Sequence, residues 1–254
     1  MTSPSQTSGP NPLGSRFAAY TVLALAWIPG SASLLAFFVL FVCLGSLNLV
    51  DLPLSESAAL SLDALLSCVF FLQHSGMVRR SFRRWSAGFI PSQYDGAAYT
   101  IASGVILLVL VVFWQESAHT LAAAEGVVRG LLRAVCLLSV AGFGWGILAL
   151  GSFDTFGLRP ILDRLRGTTT PPLPFTVRGP YRWVRHPLYF FILLMIWSCP
   201  DLTVDRLLFN VLWTVWIFAG TVLEERDLVA AFGDTYRTYQ RRVPMLIPYR
   251  LRPV

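Results

Sequence analysis

The densest concentration of residues able to do chemistry is Gly179-Pro180-Tyr181-Arg182-Trp183-Val184-Arg185-His186-Pro187-Leu188-Tyr189. Pro187 suits the first turn of a helix, where its missing N–H forfeits no hydrogen bond. Arg185 and His186 then stand at that helix's N-terminus, beside backbone N–H groups that favour an anion. An Arg and a helix N-terminus aimed at one point make a carboxylate site; the plainer reading is that Arg, Trp and Tyr anchor the end of a membrane span. A second cluster, Glu224-Glu225-Arg226-Asp227, closes a long apolar run. Two acids at a helix C-terminus oppose its dipole, at a cost of roughly a few tenths of a kcal/mol. A cationic ligand group, or Arg182 or Arg185 from the neighbouring loop, would offset that cost; otherwise the pair is simply solvated. Gln73 and His74 end another apolar run, and Asp63 lies deeper in it, on one helical face with Ser67 and Phe70. An ionisable group at membrane depth is a functional candidate. The structural alternatives are a His bonded between helices and an Asp paired with Arg133. The four Cys residues are too scattered for metal or redox spacing and read as small packing residues, so no metal is expected.

These residues need a membrane scaffold. Of the 254 residues, 55% are hydrophobic and 13% charged, against about a quarter charged in a soluble domain. The apolar residues come in blocks near the ~20 residues that cross a bilayer. Six segments fit: 17–50, expected to break near Pro29-Gly30, then 58–77, 98–114, 127–151, the short 187–198, and 207–223. The fifth is expected as a shallow helix in a hairpin with the sixth, turning through Cys199-Pro200-Asp201-Leu202-Thr203. Arginine distribution supports the count. Arg16 precedes the first segment, Arg79, Arg80, Arg83 and Arg84 follow the second, Arg159 to Arg185 separate the fourth and fifth, and Arg226 to Arg252 follow the sixth. Six spans with both termini in the cytoplasm place all of them inside. This position also accounts for the net charge of +6, so nucleic acid is not an expected partner. The expected fold is an all-α, polytopic membrane helix bundle of about six spans. Residues 1–16 form a disordered tail, 17–151 a four-helix membrane region, and 152–254 a cytoplasm-facing site region. In that last region Leu228, Phe232, Tyr236 and Tyr239 recur at helical spacing and predict an amphipathic helix.

Taken in order, Arg185-His186-Pro187-Leu188-Tyr189, Glu224-Glu225, Phe232-Gly233-Asp234-Thr235-Tyr236-Arg237-Thr238-Tyr239 and Val243-Pro244-Met245-Leu246-Ile247-Pro248 resemble the isoprenylcysteine carboxyl methyltransferase and phospholipid N-methyltransferase superfamily. Upstream, Leu72-Gln73-His74-Ser75-Gly76-Met77, Phe82-Arg83-Arg84-Trp85, Phe113-Trp114-Gln115, Phe156-Gly157-Leu158-Arg159 and Pro172-Leu173-Pro174-Phe175 bring the resemblance closer to bacterial methanethiol S-methyltransferases. It covers most of the chain from about His74 onward. Phe191 departs from the pattern, standing where these families carry a Gly two residues after the Tyr; Gly76 and Arg80 replace a Val and a Pro.

The resemblance implies S-adenosylmethionine as cofactor and a small thiol, methanethiol, as acceptor. In the family's manner Tyr181, Arg182, Arg185, His186, Pro187, Tyr189, Glu224, Glu225, Tyr236 and Tyr239 hold the cofactor, while Gln73, His74 and Trp114 face the acceptor. His74 takes the thiol proton, with His186 as its competitor, and Arg185 and Glu225 complete the catalytic set. Methanethiol has only two heavy atoms. At a ceiling of about −1.5 kcal/mol per atom it binds no tighter than roughly 1 mM, so specificity needs a small closed pocket; Trp85, Trp114, Phe190, Phe191 and Trp197 are candidate walls. The competing acceptors are a prenylcysteine carboxylate or a phospholipid amine. An NADPH-dependent sterol reductase shares the Arg-His-Pro element, and a non-enzymatic membrane scaffold is the last alternative.

Overall fold

A computed structural model describes residues 12–39, 49–151, 154, 156–169, 171 and 174–249, apart from the side chains of residues 12–15 and 80. Five of its helices are long and apolar enough to cross a membrane, which makes this an integral membrane protein. They are α1 (Pro12–Val39), α2 (Glu56–Val78), α4 (Asp95–Phe113), α5 (Gly126–Ala149) and α8 (Val204–Phe232). Shorter helices α3 (Arg80–Ser86), α6 (Arg159–Arg166), α7 (Pro187–Trp197) and α9 (Asp234–Arg242) lie between and after them. The all-α bundle expected from the sequence is what folds.

The fifth crossing is built differently from the rest. Helix α7 has 11 residues, about 16 Å of rise at 1.5 Å per residue, half a bilayer core. The chain then continues as strand β2 (Asp201–Thr203), which pairs antiparallel with β1 (Thr120–Ala123) in the α4–α5 connection. Backbone groups beyond the helix are thereby satisfied: Ala124 N–H donates to the Pro200 carbonyl and Val204 N–H to that of His119. This accounting is what a non-helical crossing requires. Helix α7 packs chiefly on α5 rather than forming the expected hairpin with α8.

Three other expectations need correction. Residues 12–16 belong to α1, and the rest of the expected tail, residues 1–11, lies outside the described residues. Helix α1 runs unbroken through Pro29 because α4 packs there. A Cβ on Gly104 would come within 3.0 Å of the Pro29 carbonyl oxygen, so the glycine admits the neighbouring backbone. Cys43, Arg250 and Arg252 fall outside the described residues, as does the far end of the expected first span. The predicted tail helix is also two pieces, since Gly233 adopts φ +57° and ends α8 before α9 begins.

The core is an aromatic column. Phe70 stacks on Trp213 at 5.4 Å and Phe71 on Trp216 at 4.6 Å, joining α2 to α8, and Phe209 extends the column along α8, 4.6 Å from Trp213. Asp63, Ser67 and Phe70 share the buried face of α2, as their spacing implied. Asp63 does not pair with Arg133, which is exposed on α5. One Asp63 carboxylate oxygen accepts the Gln115 N–H at 3.0 Å, pinning the end of α4. Cys136 is buried, whereas Cys68 faces outward.

Candidate active site

The site lies at the end of the bundle where α2 and α8 finish and α4 and α7 begin. Glu225 is its organising residue. Its carboxylate takes a bidentate pair from Arg185, Nε to Oε1 at 2.5 Å and Nη2 to Oε2 at 2.8 Å. Tyr236 O–H donates to Oε1 at 3.1 Å, Gln240 Nε2 to Oε2 at 2.7 Å, and His186 Nε2 lies 3.1 Å from Oε1. Arg185 also donates through Nη1 to the carbonyls of Gln240 and Val243. Four of its five N–H groups are therefore committed inside the protein. The Arg185 and His186 side chains are only 9% and 5% exposed, so the knot is shielded and strong for its kind.

The carboxylate that Arg185 holds is thus the protein's own Glu225. The backbone N–H of Arg185 donates to Pro244 O at 2.8 Å and that of His186 to Met245 O at 3.1 Å. The segment after α9 thus occupies the two backbone donors that precede α7. The two neighbouring acids divide the work. Glu225 ties α7, α8 and α9 together, while Glu224, one residue earlier on α8, faces a large cavity and accepts the Tyr189 hydroxyl at 2.8 Å.

That cavity measures about 690 Å³. Its walls bring together Tyr181, Arg185, His186, Pro187, Tyr189, Glu224, Tyr236 and Tyr239, most of the residues singled out in the sequence as cofactor-holding. Arg182 is exposed and does not line it, and Glu225 sits behind Arg185. Phe175, Arg178, Leu228 and Phe232 are further wall residues. Phe175 was legible only as part of a motif; Arg178 carried no signal of its own beyond its place in the loop. Phe175 meets Tyr236 edge-on at 5.8 Å and Tyr239 at 5.4 Å, and the Tyr239 hydroxyl donates to the Tyr181 carbonyl at 2.5 Å. Burial first, then the charge of Glu225, raises the Tyr236 phenol above its ordinary value; burial likewise raises Tyr239 and Tyr181. All three stay protonated and serve as donors.

The acceptor candidates separate. His74 is at this end, with the Tyr99 hydroxyl 3.0 Å from Nδ1 and 2.9 Å from Nε2. The two nearly equal distances do not select a tautomer. Phe70 and Trp216 complete the His74 surround at 5.1 and 5.4 Å between ring centres. Gln73 Nε2 donates to Ser103 Oγ and Met77 Sδ, both at 3.1 Å, and its amide oxygen is buried without a partner. Tyr99, on α4, was not among the residues read from the sequence; its lone position in an apolar run gave no motif. Trp114 is at the opposite end, where Nε1 donates to Asp205 at 2.9 Å. Asp205 and Glu225 are 20 residues apart on α8, about 30 Å at helical rise, so the structure does not bring Trp114 to the site.

The large cavity also excludes the aromatics expected around a small acceptor pocket, Trp85, Phe190, Phe191 and Trp197. Trp85 and Trp197 are exposed. Phe191 points at α5, where a Cβ on Gly142 would fall 2.6 Å from the ring atom Cδ1; Leu188 fills the notch at Gly146 in the same way. Phe191 therefore leaves the cavity side of α7 untouched. At Gly76 an added Cβ meets open space, so the loss of the usual side chain disturbs nothing. Among the described residues no cluster could hold a metal ion.

No family model and no solved structure matches the chain. Curated relatives do. A methanethiol S-methyltransferase of Pseudomonas sp. is 39% identical over 76% of this chain and 74% of its own. Methanethiol S-methyltransferase 1 of Bradyrhizobium diazoefficiens is 33% identical over 95% of this chain and 87% of its own. The protein of that name from Mycobacterium tuberculosis is 34% identical over 89% and 96%.

Proposed function

This chain belongs to the methanethiol S-methyltransferase family, and on that premise we propose that it methylates methanethiol to dimethyl sulfide with S-adenosylmethionine as donor. The observation that carries the choice of donor is the cavity of about 690 Å³ beside Glu224. Its volume lies within the roughly 300–1,000 Å³ of cofactor pockets. The walls fit the donor's chemistry: Arg178 for its carboxylate, Glu224 with Tyr189 for its ammonium or ribose hydroxyls, and Phe175, Tyr181 and Phe232 for its purine. When bound, the donor supplies an electrophilic methyl carbon on a sulfonium sulfur.

The protein's part is alignment, exclusion of water and handling of one proton. Arg185 and Glu225 brace α7 against α8 and α9, which fixes the wall made by His186, Pro187 and Tyr189. The acceptor's sulfur must lose its proton as it gains the methyl group, because thiolate is the nucleophile. We assign that proton to His74, whose ring nitrogens face Tyr99 rather than a carboxylate. His186 is the less available of the two, since its Nε2 is engaged by Glu225. The site end faces the cytoplasm, with the protein in the inner membrane and both termini inside; the Arg-rich connections at that end support this orientation. Headspace measurement of dimethyl sulfide from purified protein, methanethiol and S-adenosylmethionine tests the reading. Sulfide that depends on both substrates is expected; none, with cofactor bound, would overturn the choice of acceptor.

A further inference from the structure

A second, much smaller cavity is enclosed by the end of α2, the start of α4 and α3. It measures about 70 Å³ and is lined by Met77, Val78, Phe82, Arg83, Ser86, Ile90, Asp95, Gly96, Ala98 and Tyr99.

 By the measure on which one water needs roughly 10–15 Å³, it admits a molecule of a few heavy atoms and nothing the size of a nucleotide. Tyr99 belongs to both neighbourhoods. It lines the small cavity, its hydroxyl meets His74, and it lies within electrostatic reach of Glu224 and Tyr189, two walls of the large cavity, and of Arg83. Met77 and Ile90 give the small cavity an apolar, polarisable lining, and Arg83 puts a cation at its edge.

Resting on the proposed methyl transfer, we infer that this small cavity is the binding cell of the acceptor, a small unbranched thiol, and that Tyr99 positions the thiol sulfur between His74 and the cofactor. The division of space explains how a two-atom substrate is selected. The cell rejects longer thiols by volume, while the large cavity holds the donor. Arg83 and Asp95 both line the cell, so it carries charges of both signs, and the Tyr99 hydroxyl can donate to the thiol sulfur while its own oxygen stays against the His74 ring.

Two substitutions of opposite sense test this. Ile90→Ala enlarges the cell and Ala98→Leu fills it. Methylation of methanethiol and ethanethiol is followed by headspace analysis, and binding of S-adenosylhomocysteine by calorimetry. Ile90→Ala is expected to shift relative kcat/KM toward ethanethiol by about tenfold or more, the scale of one methylene in an apolar pocket. Ala98→Leu is expected to raise the methanethiol KM by a similar factor, with nucleotide affinity unchanged in both variants. If Ala98→Leu misfolds, its nucleotide binding is lost and Ile90→Ala alone decides. An unchanged ethanethiol preference in Ile90→Ala overturns the acceptor cell. Absence of thiol methylation in the unsubstituted protein overturns the proposed function instead, so the two failures are distinguishable.

Discussion

Replacing Glu225 and Glu224 one at a time should produce two different defects, although the residues are adjacent and chemically identical. Glu225→Ala deletes the acceptor for Arg185, Tyr236, Gln240 and His186. It leaves an Arg185 side chain that is 9% exposed with two carbonyls and no counterion. Removing one partner of a buried ion pair costs about 3–5 kcal/mol. At roughly 2–4 °C per kcal/mol for a chain approaching this size, thermal unfolding in detergent should fall by about 6–20 °C. Glu224 has a side chain 44% exposed and accepts a hydrogen bond from the Tyr189 hydroxyl, one that an amide oxygen still accepts. Glu224→Gln should therefore leave unfolding within about 4 °C of the parent, since exposed charges contribute at most about 1 kcal/mol. It should weaken S-adenosylhomocysteine binding by roughly tenfold or more, the worth of one charge-assisted hydrogen bond. Equal thermal losses in the two variants, or nucleotide affinity untouched in Glu224→Gln, would refute this division of roles.

Four further outcomes follow from the geometry. Tyr236→Phe removes one donor to Glu225 and should cost about 1 kcal/mol of stability, read by the same melt, with no new nucleotide preference. Gly142→Ala drives a Cβ into the Phe191 ring and should destabilise by about 1–3 kcal/mol; Phe191→Leu in the same chain should restore most of the loss. His74→Gln should lower kcat by roughly 10²–10⁴-fold if His74 takes the proton. That deficit should shrink as pH rises beyond the ~8.5 of a cysteine thiol toward the higher range in which a simple alkanethiol ionises unaided, and a pH-independent deficit would count against the role. Trp114→Phe should leave the methanethiol KM unchanged in the same sulfide assay, because the indole binds Asp205 at the far end of the bundle.

Much of this architecture is written in the apolar blocks and arginine spacing. Five long helices fall where runs of hydrophobic residues predict them, because membrane spans carry a strong local signal. The fifth crossing was harder to read. Its non-helical half depends on β1, whose residues lie some 80 positions away in sequence and carry no pairing signature of their own. The unbroken passage of α1 through Pro29 depends on α4 at Gly104, again a tertiary fact. At the site, the ordered motifs picked out residues that the fold gathers around one cavity, but not how they pair. Which of two adjacent acids faces the cavity is set by the rotation of α8 against α9, and neither the pairing of Arg185 nor the occupation of its backbone N–H is visible before the C-terminal segment folds back. Trp114 stood in a motif for its bond to Asp205, a structural reason that sequence could not distinguish from contact with substrate. Tyr99 shows the reverse, a residue with no motif that the fold delivers to the centre.

The most direct measurement is an experimental structure of the protein with S-adenosylhomocysteine. The nucleotide should lie in the cavity between Tyr181, Tyr189, Glu224 and Tyr236, with its sulfur directed toward Tyr99 and His74. Density on the other side of Glu225, in the open groove beside Val222, Arg226 and Val229, would contradict it.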